Sequence, residues 1–108
     1  MTLAALLLSV ILAAPAPITG TATFYCQPSR SACTRGYPAS GPYAAAGPAL
    51  RVGKWRGRWV TVRASGRAIR VRLVDWCACP GRLIDLYGSQ FSRLAPLSRG
   101  VLRVSVTW

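Results

Sequence analysis

The clearest pattern in the chain lies between residues 68 and 75, where Ile69, Val71 and Leu73 alternate with Arg70 and Arg72. A period of two puts apolar side chains on one face of a strand and charged ones on the other. Trp59 to Arg63 alternates in the same way, with Val60 and Val62 set against Thr61 and Arg63, and Ser65-Gly66 supplies turn chemistry between the two segments. Together they predict an antiparallel hairpin. Thr21 to Cys26 has the β-branched and aromatic content of a further strand. Val101 to Trp108 sets Leu102, Val104, Val106 and Trp108 against Arg103, Ser105 and Thr107, and a terminal strand with such alternation is expected to add to an existing sheet.

The segments between are less regular. Gln27 to Pro42 is rich in Pro, Ser and Gly and reads as a loop held down by Cys33, while Tyr43 to Ala46 is a short apolar piece ended by Gly47-Pro48. Lys54 to Arg58 reads as a turn. Leu83 and Ile84 lead into Asp85-Leu86, after which Tyr87, Phe91 and Leu94 fall at i, i+4 and i+7, predicting one short helix ended by Pro96. Several short strands and a single helix make a mainly β fold, a small barrel by architecture. Periodicity alone permits an OB-like or SH3-like barrel as well.

With 108 residues there is room for one domain. Residues 1–16 form an apolar run ending in Ala14-Pro15-Ala16, a small-x-small pattern that reads as a signal peptide, leaving 17–108 as the domain. The run is too short and too Pro-terminated for a good spanning helix, so the mature form is expected to carry no membrane span and to be secreted or held in the cell envelope. Export sets the reading of Cys26, Cys33, Cys77 and Cys79, which make two disulfides in one of three connectivities. A bond between Cys77 and Cys79 closes a very small ring, so each of these is expected to reach back to Cys26 or Cys33. A four-thiolate zinc site fits poorly, because ligand pairs usually have two to four residues between them. No metal is expected.

Thirteen Arg and one Lys against two acids give a net charge of +12. Such a surface attracts polyanions, and in an exported protein these are wall polymers before nucleic acid. There is no His and no Glu. Ser-His-Asp and Cys-His nucleophilic machinery and imidazole metal sites are thereby excluded. Acid-base chemistry is left to Asp75 and Asp85.

Taken in order, the segments Thr21-Ala22-Thr23-Phe24-Tyr25, Tyr43-Ala44-Ala45-Ala46, Val71 to Pro80 (Val-Arg-Leu-Val-Asp-Trp-Cys-Ala-Cys-Pro), Ile84-Asp85-Leu86, Phe91, Leu94 and Gly100 to Trp108 resemble the rare lipoprotein A-like double-psi β-barrel family, whose relatives include barwin and expansin domains. The resemblance implies a six-stranded barrel with two interlocked psi loops and a surface groove for a glycan. It places Asp75 at the family's Val-x-Asp position on the groove floor. It makes Asp85 a structural acid bracing the turn into the helix, with Tyr87 standing where the family has a capping Ser and Ser89 nearby as its substitute. Members with lytic transglycosylase activity tend to carry His where this chain has Ala46.

The expected site is therefore Asp75 as catalytic acid and base, with Tyr25, Tyr43 and Trp76 stacking on sugar rings and no cofactor. Hydrolysis by a standard pair of carboxyls about 5 to 9.5 Å apart requires Asp85 as well. A lytic transglycosylase acting on peptidoglycan asks for one carboxyl only. A noncatalytic, expansin-like module that binds or loosens the wall is the alternative. Trp55 and Trp59, with Arg56 and Arg58, form a second candidate platform. The partner is expected to be peptidoglycan or an anionic wall polymer, and the protein a monomer.

Overall fold

The computed structural model describes residues 16–108; the expected signal segment, apart from Ala16, lies outside the described residues. Eight strands run in the order β1 (Ile18–Tyr25), β2 (Ala32–Thr34), β3 (Tyr37–Pro38), β4 (Tyr43–Ala46), β5 (Trp59–Ala64), β6 (Arg67–Trp76), β7 (Ile84–Tyr87) and β8 (Leu102–Thr107). One helical turn, α1 (Gly88–Phe91), follows β7. Six of the strands close into a barrel in the order β1-β7-β4-β6-β5-β8, and β2 and β3 form a separate two-stranded ribbon. The six-stranded double-psi barrel with one short helix is the fold expected from the sequence.

The predicted hairpin is β5–β6, paired from Trp59↔Arg72 to Ala64↔Arg67. Its turn is Ser65-Gly66, with φ of 54° and 75°. Positive φ at both central residues matches the right-handed twist of the flanking strands. Val60, Val62, Ile69, Val71 and Leu73 all point into the core, as does every second residue of β8 from Leu102 to Val106. The alternation was a reliable guide because each of these strands has one face in the barrel and one in solvent. At Trp108 the alternation fails: pairing ends at Thr61↔Thr107, and Trp108 is 41% exposed.

β7 takes four residues that the helical pattern had claimed in part. It pairs parallel with β1 and antiparallel with β4. Tyr87 thus ends a strand, and only Gly88 to Phe91 is helical. Phe91 is fully buried and meets Phe24 at 5.0 Å between ring centroids, closing one end of the core. Ser89 does not cap this turn. Its hydroxyl donates to the Ala39 carbonyl at 2.8 Å and thereby ties the 27–42 loop down.

The disulfides also differ from expectation. Cys26 bonds Cys33 and Cys77 bonds Cys79, with Cα atoms 5.5 Å and 5.0 Å apart. Each bridge stays within one loop, because β1 and β6 deliver the two pairs to different places on the barrel, and both Cα separations lie in the range a disulfide spans.

Where the loop after β4 passes the loop before β7, the backbones nearly touch. The Gly47 amide donates to the Leu83 carbonyl at 3.0 Å. A Cβ on Gly47 falls 2.5 Å from the carbonyl oxygens of both Arg82 and Leu83. Neither neighbour is a flexible side-chain end, so the crossing requires glycine. Gly47→Ala is expected to destabilise the barrel by about 1–3 kcal/mol, the usual cost of forcing atoms into a packed region, read as a lower urea midpoint at unchanged slope.

Candidate functional site

Asp75 owes its position to one extra residue in β6. β4 and β6 pair in parallel as Tyr43↔Arg72 and Ala44↔Leu73, and then the register shifts so that Ala45 faces Asp75. Val74 is the unpaired residue of this bulge. In an unbroken ladder Val74 pairs with Ala45 and Asp75 turns inward; the bulge reverses this. Leu73 and Val74 are both buried, and Asp75 stands on the outer face.

The turn before β5 holds the bulge in place. Arg56 donates from Nη1 to the Val74 carbonyl at 3.1 Å and lays its guanidinium 4.6 Å from the Trp55 ring centroid. The Gly57 amide donates to the Leu73 carbonyl at 2.7 Å, and the Leu73 amide to the Arg58 carbonyl at 2.9 Å. The carbonyl of the extra residue thus finds its partner in Arg56, while residues 57–58 extend the β5–β6 pairing to Leu73. Trp55 and Arg56, read from the sequence as half of a second platform, serve the Asp75 site from behind.

On the outer face, register lines up Thr23 of β1, Asp85 of β7, Ala45 of β4 and Asp75 of β6. The two acids flank Ala45, two strand spacings apart, or about 10 Å between backbones at about 4.8 Å per strand. They share no hydrogen-bond donor. Asp75 accepts from the Thr34 hydroxyl at 3.2 Å and from the Tyr25 hydroxyl at 3.5 Å through Oδ2, and from the Trp76 amide at 2.9 Å through Oδ1. Asp85 accepts from the Thr23 hydroxyl at 2.9 Å, and Thr23 in turn accepts from Arg82 at 3.2 Å. Asp85 thus links β1 to β7 rather than bracing α1. The Cys77 and Cys79 sulfurs lie within 4.8 Å of the Asp85 carboxylate, but as a disulfide they offer no thiolate to a metal.

Above this row runs a line of tyrosines. Tyr25, Tyr87 and Tyr43 meet edge to face with centroids 5.2 Å and 5.5 Å apart, and Tyr37 packs on Tyr43 at 4.8 Å. The 27–42 loop covers Tyr87 completely, and the Thr34 amide donates to the Tyr87 hydroxyl at 3.2 Å. Burial pushes the Tyr25 hydroxyl well above its ordinary pKa; the Thr34 hydrogen bond pulls the other way and the Asp75 charge adds to the rise. Tyr25 is thereby kept protonated as a donor to Asp75. Tyr43 lies one ring further off and makes no contact with Asp75 through its hydroxyl among the described hydrogen bonds.

Trp76 is 53% exposed beside Asp75. Arg51 sits 5.4 Å from its ring centroid and donates through Nη1 to the carbonyls of Ala46 and Cys77, each at 2.9 Å. The face therefore offers a carboxylate with about one acceptor position left, on Oδ1, and a steadied indole. Thr34 and Arg51 were not singled out from the sequence, whereas Arg56 was read as part of a second platform and Tyr87 as a helix residue. Thr34 had no local signal beyond its place next to Cys33, whose bond to Cys26 draws it toward Asp75. Arg51 lay in an unpatterned stretch.

Burial raises the Asp85 carboxyl above the usual carboxylate range; Thr23 and Arg82 offset part of this, and Asp75 adds a smaller push upward. The folded protein holds this proton to higher pH than the unfolded chain does. Ionising Asp85 therefore subtracts from stability as pH rises from the unfolded pKa toward the raised one, and the deficit persists above it. Asp85→Asn keeps an oxygen for Thr23 and removes the charge. Its unfolding free energy is expected to fall less than that of wild type between about pH 4 and neutrality, as measured by denaturant midpoints across that range.

No family model matches the chain. A papain inhibitor of Streptomyces mobaraensis is 36% identical over 104 residues, which span 84% of this chain and 69% of the relative. The solved structure of a Streptomyces papain inhibitor is 32% identical with a TM-score of 0.67, covering 87% of this chain and 94% of the other. Expansin from Clavibacter michiganensis shares the fold, with a TM-score of 0.68 both in its apo form at 22% identity and as a mutant in complex with cellohexaose at 21%. Each of these matches covers 85% of this chain and 50% of the expansin. With the Asp75 face built on a closed double-psi β-barrel, and with identity sustained over most of both chains, the protein belongs to the family of the Streptomyces papain inhibitor.

Proposed function

We propose that this protein is an exported, noncatalytic module that binds neutral wall polysaccharide on the Asp75 face. The observation that carries the reading is the set of partners around Asp75: two hydroxyls and one amide, all uncharged donors, with the other acid facing Thr23 instead. A carboxylate so held is a fixed acceptor for sugar hydroxyls, and the exposed Trp76 beside it is a stacking surface for a sugar ring. Transglycosylation needs Asp75 to reach a glycosidic oxygen and exchange a proton with it, and about three of its four acceptor positions are already taken by protein donors. The expansin complex with cellohexaose supports a β-linked glucan as the ligand class. Two disulfides fit an oxidising compartment outside the cytoplasm, and residues 1–16 are the proposed export signal.

Sedimentation with insoluble cellulose or wall material tests this reading. Trp76→Ala is expected to weaken retention about tenfold, for a stacking contribution near the top of the usual range for aromatic contacts. Asp75→Asn, which keeps one acceptor oxygen, is expected to weaken it less. Retention unaffected by Trp76→Ala overturns the proposal. Release of anhydro-muropeptides from peptidoglycan, abolished in Asp75→Asn, restores the enzymatic reading.

A second reading has its own support: the papain inhibitors, of which one solved chain is covered to 94%. Under it the protein occludes a papain-like cysteine protease. Titration of papain is then expected to give stoichiometric loss of activity. Inhibition that survives Trp76→Ala assigns protease and glycan to different surfaces.

A further inference from the structure

The Asp75 face leaves the opposite wall of the barrel unexplained. On the outside of β5, β6 and β8, Thr61 is flanked by Arg70 on one side and Thr107 on the other, and Arg63 pairs with Ser105. Trp59 lies two residues before Thr61 on the same face, and Trp108 directly follows Thr107. A concave space of about 610 Å³ opens among Trp59, Thr61, Arg63, Arg70, Thr107 and Trp108, and Ala16 and Pro17, at the end of the proposed export signal, also border it. Its two indoles are 44% and 41% exposed. Tryptophans on the outer wall of a small barrel bury no core surface, so stability does not account for them.

Each indole carries a guanidinium. Arg70 stands 5.7 Å from the Trp59 ring centroid and Arg58 4.9 Å from that of Trp108. A guanidinium stacked on a ring is held flat with the N–H groups of its edge available, so it loses little freedom on forming a bidentate pair with a carboxylate. Both acids of the chain, Asp75 and Asp85, lie in the row on the other outer face. No acidic side chain is therefore at hand to neutralise Arg63 and Arg70, and the charged side chains of this wall are of one sign.

We infer that the Trp59–Trp108 cleft is a second binding site, specific for an acidic polysaccharide whose sugar rings lie on the two indoles and whose carboxylates pair with Arg63 and Arg70. The combination of flat apolar surface and edge-on guanidinium matches a sugar that carries a charge in its own ring plane, and neither half alone suits it. Neutral glucan lacks the anion. Inorganic anions lack the ring. The site is independent of the Asp75 reading, since no residue proposed to touch ligand is shared.

The test is affinity electrophoresis of the full chain in gels containing polygalacturonate, with hydroxyethylcellulose gels as the neutral comparison. Trp59→Ala with Trp108→Ala leaves the net charge at +12 and is expected to lower affinity for polygalacturonate about tenfold, the sum of two modest aromatic contributions. Arg63→Gln with Arg70→Gln is expected to lower it by a similar factor and to flatten its salt dependence. Arg30→Gln with Arg35→Gln removes the same charge from the 27–42 loop and is expected to change affinity less than about twofold, as for a screened distant charge. Trp59→Phe with Trp108→Phe keeps the rings and is expected to retain most of the binding, which separates stacking from any loss of fold.

Equal losses in the two arginine pairs overturn the proposal in favour of diffuse charge attraction. Unchanged affinity in the tryptophan-to-alanine pair overturns it as well. So does tighter binding to single-stranded DNA that depends on the same four residues, or a concentration-dependent dimer that Trp59→Ala with Trp108→Ala abolishes. The outcome in hydroxyethylcellulose reports on the Asp75 face alone, so failure there leaves this site to be judged on polygalacturonate.

Discussion

In a closed barrel, strand pairing commits every side chain to the inside or the outside, and in β6 that commitment is reset at Val74. Before the bulge, Ile69, Val71 and Leu73 face the core; after it, Asp75 faces out beside Ala45. At the reset the Val74 carbonyl accepts from Arg56, and the Leu73 carbonyl and amide pair with Gly57 and Arg58 on the β5 side. A buried peptide group without a partner costs on the order of 1–3 kcal/mol. The turn at residues 56–58 is therefore as much a part of the acidic face as the acid itself.

The tyrosine line and the 27–42 loop rest on the same arrangement. Thr34 reaches Asp75 because Cys26–Cys33 fastens its neighbour and because Tyr87 accepts its amide. Ala39 is buried and held by Ser89. The loop thus lies over Tyr87 on the outer side of the sheet, pinned at Ala39 and Thr34. This explains how a chain rich in Pro, Ser and Gly can present a hydroxyl at a fixed place.

The sequence was most informative where one face of a strand is wet and the other dry. β5, β6 and β8 could be read residue by residue, and family likeness supplied the barrel and Asp75. β7 could not be read, because it has only four residues and its alternation of Ile84, Asp85 and Leu86 is broken by Tyr87, which is buried beneath the 27–42 loop. The disulfide pairing failed for a different reason. Ring size was weighed, but where β1 and β6 would deliver their cysteines was not knowable from spacing. Arg51 was submerged among thirteen arginines, and its carbonyl partners and its place over Trp76 distinguish it.

The two bridges have one more consequence, which is mechanical. They join positions seven and two apart, so no covalent link spans from the first half of the chain to the second. Residues 34–76, which include β4, β5 and β6, can be drawn out as an open thread once their ladders give way. Against a pulling load, or a machine that feeds on a loose end, the molecule resists with the shear strength of its paired strands, and oxidation adds nothing to it.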